Sequence, residues 1–465
     1  MKETQDKLER WYRLDNSADI YPMSLSRTVQ SNFRLTVTLN DDINPEALKD
    51  ALNNAYSRYP AFKVHLRKGF FRYYFEENEL QPRVFPESGV FFETIDFKKN
   101  NRYLIKVSYF GKRISVDFFH GLTDGTGALE FLKTLVYLYL KEIGKELINP
   151  DTIKIPGDEV SEAENEDSTA KYYRDFALND DAVGNMTGNN SVYIKQKMFA
   201  RPGYGSIIAL MNSSEVRTVA KRYDATVTEL VASLALLSIH DAYLKKKDNK
   251  HMAVMIPVNL RKIFPSETLN NFTTMIRCEV NQNVIPPDLS AYIRVIKKGI
   301  REGVADKDLL QKKLSVAALM SEKMYLRLMP SRLKTLFIKV PKTFLVKPRQ
   351  TLIVSNLGFV PLPADVSREI DKMTFHVNIS KKTPLNIGIV SSNDIMSISF
   401  TRMTVSTEVE RVFLTRLAHE GVNISVLSNN REESDAEERK GKALRKLRQT
   451  YYKAKWNRKN KTNND

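Results

Sequence analysis

Ile114, Val116, Phe118 and His120 alternate along one run, and Asp124 and Gly125 follow His120 after a three-residue gap. Alternation with a period of two puts the four side chains on one face of a strand that ends at the histidine. Imidazole, with an ordinary pKa of about 6.5, is mostly neutral near pH 7 and can take and return a proton there. A histidine at a strand end beside a turn is therefore a candidate general base, although the same position suits a core histidine bonded to a backbone carbonyl. Gly121 and Gly125 are read as turn residues that supply backbone angles closed to side chains with a Cβ. Asp124 lies on that turn and need not face the same way as His120.

Several elements must hold this run in place. Phe33, Leu35, Val37 and Leu39 alternate as a strand, and Asn44 and Pro45 read as the cap and first residue of a helix that reaches about Tyr56. Hairpins are expected over 62–75, turning at Lys68 and Gly69, and over 103–120, turning at Gly111 and Lys112. Leu129, Phe131, Leu132, Leu135 and Leu138 recur at helical spacing, so a helix begins in the Asp-Gly-Thr-Gly turn. An acidic and then Asn/Gly-rich stretch between 150 and 191 reads as a domain linker. Beyond it, strands are expected at 192–199, 206–211, 252–259 and 272–280. Thr226 and Glu229 have capping-box spacing before a helix over 230–243, and a Lys/Leu-rich helix is expected over 289–328.

The His120, Asp124, Gly125 pattern resembles the signature of the acyltransferase superfamily that includes chloramphenicol acetyltransferase, plant acyl-CoA transferases and the condensation domains of peptide synthetases. Two later segments resemble the same superfamily in order and separation. One is Ile256, Pro257, Val258, Asn259, Leu260 and Arg261 with Asn270, Asn271 and Phe272; the other is Val354, Ser355, Asn356, Leu357 and Gly358 with Pro361, followed by a hairpin over 385–401. The resemblance spans about residues 12–428 and is closest to free-standing bacterial alcohol acetyltransferase-like proteins. Phe119 departs from the two successive histidines usual in condensation domains, which favours acyl-CoA transferases.

The resemblance implies an α/β fold with mixed sheets, built as two similar chloramphenicol acetyltransferase-like domains with the site in a tunnel between them. The corresponding division is an N-terminal half at 1–155, a linker at 156–190, a C-terminal half at 191–428 and a charged basic tail at 429–465. It implies an acyl-CoA-dependent O-acyltransferase, with acyl-CoA as co-substrate, a small alcohol or amine as acceptor, His120 as general base and no covalent acyl-enzyme. Asp124 and Arg261 are then structural partners tying the halves together, and Gly125 serves the turn. Ser355 and Asn356 are candidates to donate to the oxyanion, although a Ser-Asn pair at a strand end is also a common turn former. Lys342, Lys347 and Arg349 are candidates for the coenzyme A phosphates. Two alternatives stand beside this reading: an amide-forming condensation enzyme fed by a carrier-bound thioester, and a non-catalytic binding protein of the same fold acting through its basic surface.

Composition narrows the remaining classes. The 465 residues are 42% hydrophobic and 10% aromatic, enough to bury sizeable cores. A net charge of +17 suits coenzyme A phosphates, nucleic acid or an anionic membrane, and charge alone does not choose. No specific nucleic-acid partner is expected. After Asn430 the chain turns acidic and then basic, with Leu444, Leu447, Tyr451 and Ala454 at helical spacing and Trp456 behind them. This is either a basic amphipathic helix suited to peripheral membrane contact or a solvated tail. Cys278 is the single cysteine, so no internal disulfide or Cys-x-x-Cys site can form; it reads as a buried spectator. His65, His240, His251, His376 and His419 have no metal-ligand spacing, and no metal or bound cofactor is expected. Residues 1–10 are charged with no apolar run behind them, and no stretch approaches the roughly 20 apolar residues of a bilayer span, so a cytoplasmic monomer is expected.

Overall fold

The computed structural model describes residues 11–14, 21–22, 31–88, 90–148, 151–172, 191–199, 204–244, 251–322 and 350–429. In chain order, the first half comprises β1 (Trp11–Arg13), β2 (Asn32–Leu39), α1 (Pro45–Arg58), β3 (Val64–Lys68), β4 (Tyr73–Glu77), β5 (Val84–Pro86), β6 (Ile105–Phe110), β7 (Arg113–Phe119) and α2 (Gly125–Glu142). Asn44 caps α1 by accepting from the amides of Glu46 and Ala47, and Pro45 occupies the first helical position, where its missing N–H costs nothing. The hairpin β6–β7 turns through Gly111, whose φ of +52° falls in the left-handed region.

A short helix, α3 (Ser168–Tyr172), precedes the second half. There follow β8 (Gly205–Asn212), α4 (Ser213–Arg222), α5 (Val227–Tyr243), β9 (His251–Asn259), β10 (Thr273–Asn281), α6 (Leu289–Ala305), α7 (Lys307–Glu322), β11 (Leu352–Phe359), α8 (Ala364–Arg368), β12 (Ile370–His376), β13 (Leu385–Ser392), β14 (Ile395–Arg402), α9 (Glu408–His419) and β15 (Ile424–Ser428). The Thr226/Glu229 capping box forms at the start of α5 in both directions.

Among the described residues the strands make three sheets: β12-β2-β7-β6-β5, β10-β9-β11-β13-β14-β8-β15, and a small sheet β1-β4-β3. The two large sheets are mixed, since β5 runs parallel to β6 and β11 runs parallel to both β9 and β13. Each backs its own apolar core. Leu48, Leu52, Phe131 and Leu135 of α1 and α2 pack with Leu35, Val116 and Phe118 of the first sheet, and Leu230, Leu234 and Leu237 of α5 pack with Val254, Val354 and Ile387 of the second. No single described helix is long and apolar enough to cross a membrane.

The structure differs from the sequence expectations in several places, of which three bear on the frame of the site. Residues 192–199 form no strand. They carry only isolated bridges, from Ser191 to His251 and from Met198 to Thr404, while Val192 and Ile194 are buried in the second core. The helix expected over 289–328 breaks at Asp306, whose extended ψ of 94° ends α6 and whose carboxylate accepts the Leu309 amide at the start of α7. β12, not anticipated at all, leaves the second half and joins the first sheet, pairing antiparallel with β2 so that Phe375 faces Leu35 and His376 faces Arg34.

Candidate active site

β7 delivers His120 to the edge of the first core. Ile114, Val116 and Phe118 occupy the face toward α2, where Phe118 stacks on Phe33 and meets Phe131 edge-on. On the other face Asp117 receives a two-pronged ion pair from Arg34 of β2, both contacts at 2.8 Å, which fixes the register of the two strands. The His120 amide donates to the Ser31 carbonyl at 2.6 Å, and the imidazole lies flat on Tyr21, with ring centres 4.7 Å apart, and edge-on to Phe33. Asn271 Oδ1 stands 3.0 Å from His120 Nδ1. An amide oxygen only accepts, so Nδ1 carries the proton and the lone pair belongs to Nε2. Burial among these rings lowers the imidazole pKa below its ordinary value, against opposing contributions from its backbone hydrogen bond, the Asp124 charge and Asn271.

Asp124 is the N-cap of α2. Its Oδ1 accepts from the amides of Thr126 (3.0 Å) and Gly127 (3.3 Å), so the helix end is satisfied by its own cap. Arg261 Nη1 reaches Oδ2 at 2.9 Å and Nη2 reaches Oδ1 at 3.2 Å, while the Phe272 amide donates to Oδ2 at 2.9 Å. The remaining Arg261 donors go to the carbonyls of Thr268 (2.8 Å) and Asn270 (2.6 Å) and to Asn259 Oδ1 (3.2 Å). Every guanidinium N–H therefore has a protein acceptor, and the pair is buried, with Asp124 1% and Arg261 9% exposed. The structure brings these two residues together across the halves, with no donor of Arg261 left over for a substrate. Thr123 Oγ1, donating to the Leu269 carbonyl at 2.6 Å, and Asn259 Nδ2, donating to Thr126 Oγ1 at 3.1 Å, add to the same seam.

Gly121 lies in the turn after β7 and Gly125 opens α2, but neither has φ in the left-handed region, so the backbone-angle reason for them does not apply. They are small for want of space. A Cβ on Gly125 would stand 2.4 Å from Leu357 Cδ2 of β11, and one on Gly121 would stand 2.5 Å from the Phe119 ring. Gly127 is confined more severely, since a Cβ there would meet the Leu269 carbonyl oxygen at 2.3 Å.

A cavity of about 630 Å³ lies between the halves. Tyr21, Phe33, His120, Leu129, Phe375 and Val377, which belong with the first sheet and its core, line it together with Pro257, Met275, Ile353, Ser355 and Leu357 of β9, β10 and β11. Along β11, Leu352 and Val354 enter the second core while Ile353, Ser355 and Leu357 turn to the cavity. Ser355 and Asn356 thus both share the cavity with His120. Asn356 behaves as the turn former: its Oδ1 accepts the Gly358 amide at 2.8 Å, its Nδ2 donates to Thr228 at 3.0 Å, and Gly358 (φ +78°) sits in the irregularity where β11 departs from β13. Lys342, Lys347 and Arg349 lie outside the described residues.

The other titratable groups are engaged elsewhere. Cys278 is buried, and burial pushes its thiol up to about 12. His376 points away from the cavity that Phe375 and Val377 line; it bonds Ser206 at 2.9 Å and is held down to about 3 by burial and by Arg34 and Arg113. His65 pairs with Glu76 and His240 with Asp241. Sequence reasoning gave Asn271 no role, although the Asn-Asn-Phe triplet that contains it was part of the resemblance.

No protein-family model and no curated protein sequence matches the chain. Solved structures do, and they define its class: the two-domain, mixed-sheet fold shared by chloramphenicol acetyltransferase-like proteins and condensation domains. Among them, TRI3 trichothecene 15-O-acetyltransferase of Fusarium sporotrichioides is 13% identical with a TM-score of 0.57, over 88% of this chain and 94% of its own. TRI101 of F. graminearum, solved with coenzyme A and deoxynivalenol, is 8% identical with a TM-score of 0.59, over 89% and 99%. The condensation domain of the monacolin K polyketide synthase MokA is 10% identical with a TM-score of 0.54, over 88% and 96%. At these identities the likeness is one of fold.

Proposed function

We propose that this protein transfers an acyl group from an acyl-CoA to a hydroxyl or amine acceptor, with His120 as general base and no covalent acyl-enzyme. The observation that carries the reading is the placing of His120: its Nδ1 stands 3.0 Å from Asn271 Oδ1, which as an acceptor favours the tautomer with the lone pair on Nε2, and the residue lines a cavity between the halves. In the proposed step Nε2 takes the acceptor's proton as its oxygen or nitrogen attacks the thioester carbonyl. The tetrahedral oxyanion collapses, the C–S bond breaks, and the departing thiolate recovers the proton from the imidazolium. Ser355 is the cavity hydroxyl assigned to the oxyanion, whereas the Asn356 amide is occupied by Thr228 and the β11 turn. Asp124 and Arg261 hold the two walls together. Coenzyme A bound to TRI101 within the same fold supports this donor.

A second reading, condensation from a carrier-bound thioester, is supported by the MokA domain's likeness. Phe119, where condensation domains carry another histidine, is buried with its ring edge-on to Phe97, so that departure falls in the core and not in the cavity. Free thiol released from acyl-CoA in the presence of an alcohol or amine panel tests the first reading. His120→Ala should lower that release by about 10² or more in a folded protein. Turnover near wild type in the variant would remove His120 from the chemistry, and release only from a carrier-bound thioester would favour the second reading.

A further inference from the structure

β3 and β4 form a hairpin whose turn is closed by the Gly69 amide donating to the Arg72 carbonyl at 2.8 Å. Its tip presents two consecutive aromatic side chains: Phe70 is 70% exposed and Phe71 42% exposed, and neither belongs to an apolar core. The rings lean on each other edge to face, with centres 4.8 Å apart, so they form a single apolar wedge. Lys68 and Arg72 flank the wedge in the chain, with Lys68 Nζ 5.8 Å from the centre of the Tyr73 ring, and Arg67 is paired with Glu76. An apolar wedge between cations fits a partner that is anionic at its surface and apolar a few ångströms beneath, which describes a phospholipid leaflet in section. Long basic side chains can lie along such a surface with their charged ends among the phosphates. The net charge of +17 draws the whole chain toward the same surface.

We propose that the β3–β4 hairpin tip is a membrane-contact element, inserting Phe70 and Phe71 into the headgroup layer of an anionic bilayer with Lys68 and Arg72 at the phosphates. This inference is independent of the acyl-transfer reading, and it assigns the contact to the folded body in place of the basic tail.

The test is co-sedimentation of the full-length chain with vesicles of phosphatidylcholine alone and of phosphatidylcholine mixed with phosphatidylserine. Wild-type protein should bind the mixed vesicles and lose binding as salt rises. Phe70→Ser should lower the partition coefficient about tenfold, and the Phe70→Ser/Phe71→Ser pair should lower it further, because full burial of a phenylalanine is worth at least a factor of ten. Lys68→Glu should reduce the preference for phosphatidylserine. Since Phe70 is mostly exposed and lies outside the cores, Phe70→Ser should not move the melting temperature. Should the double variant fold poorly, Phe70→Trp provides a separate reading, and its fluorescence should be quenched by brominated lipid. Unchanged vesicle binding of a folded double variant, or an unquenched Phe70→Trp, would overturn the proposal. So would a tip that mediates self-association or retains single-stranded RNA in place of vesicles.

Discussion

His120 can act as a base only while neutral, and its surroundings extend the range over which it stays so. Burial disfavours the imidazolium, so the folded-state pKa lies below 6.5 and the ring remains deprotonated at pH values where a free imidazole has begun to protonate. The acidic limb of kcat/KM should therefore fall below pH 6.5 when measured across pH 4 to 8, and a limb at or above 6.5 would contradict the assignment. Asn271→Ala should lower kcat more than it raises KM for either substrate, because it frees the ring to take the other tautomer without touching the cavity volume; equal effects on both would assign Asn271 to binding instead. At this scale the sequence was readable where spacing along one element decides the outcome, as with His120 at the end of an alternating strand. Asn271 was not readable as the ring's partner, because it is 151 residues away in the chain. The reason for Gly125 was misread for a similar cause: its constraint is the Leu357 side chain of a distant strand, not its own backbone angle.

Between elements, the start of α2 and the turn after β9 form one clamp. Asp124 caps the helix, receives Arg261 and accepts the Phe272 amide, so one carboxylate serves both halves. Arg261→Ala leaves that carboxylate buried without its cation and should cost about 3 to 5 kcal/mol in denaturant unfolding. Asp124→Ala also removes the cap and should cost at least as much. The double variant should destabilise by less than the sum of the singles, since each removes the other's reason for burial, and additive costs would mean that the contact contributes nothing. Hairpins and capped helices were legible because their signals are local: Gly111 at a tight turn, Asn44 before Pro45, Thr226 three residues before Glu229. β12 was not, because nothing between Ile370 and His376 states that its partner is β2, more than 300 residues earlier. The described part of the stretch read as a linker is likewise fixed from elsewhere. Glu164 there is buried against Arg58, with contacts of 2.7 and 2.9 Å, and its carbonyl accepts the Leu269 amide.

For the molecule as a whole, the described cores end ahead of the basic tail. No described core residue lies beyond Ile424, and Asn429 closes β15 by bonding Ser206 and the Tyr204 carbonyl. A chain ending at Asn430 should keep the melting temperature of the full-length protein to within a few degrees, measured by circular dichroism. It should also keep thiol release under the proposed chemistry. A collapse of soluble yield on truncation would show that the tail belongs to the fold. Composition alone supported cores of this size, and resemblance alone supplied the two-domain arrangement. The charge of +17 did not reveal which surface it serves, because a sum over the chain carries no position.

The crossing of β12 into the first sheet also has a bearing on synthesis. When β7 has left the ribosome, β2 already has one neighbour, but its other edge stays open until residues 370–376 emerge. That is about 250 residues later, or roughly 12 to 50 s at ordinary elongation rates. Throughout that interval a buried-type strand, Asn32–Leu39, presents unpaired backbone groups of the kind that recruit strands from neighbouring chains. The amino-terminal half of this protein is thus a nascent chain in need of shielding, and slowing translation ahead of codon 370 should convert soluble product into aggregate more effectively than slowing it after codon 376.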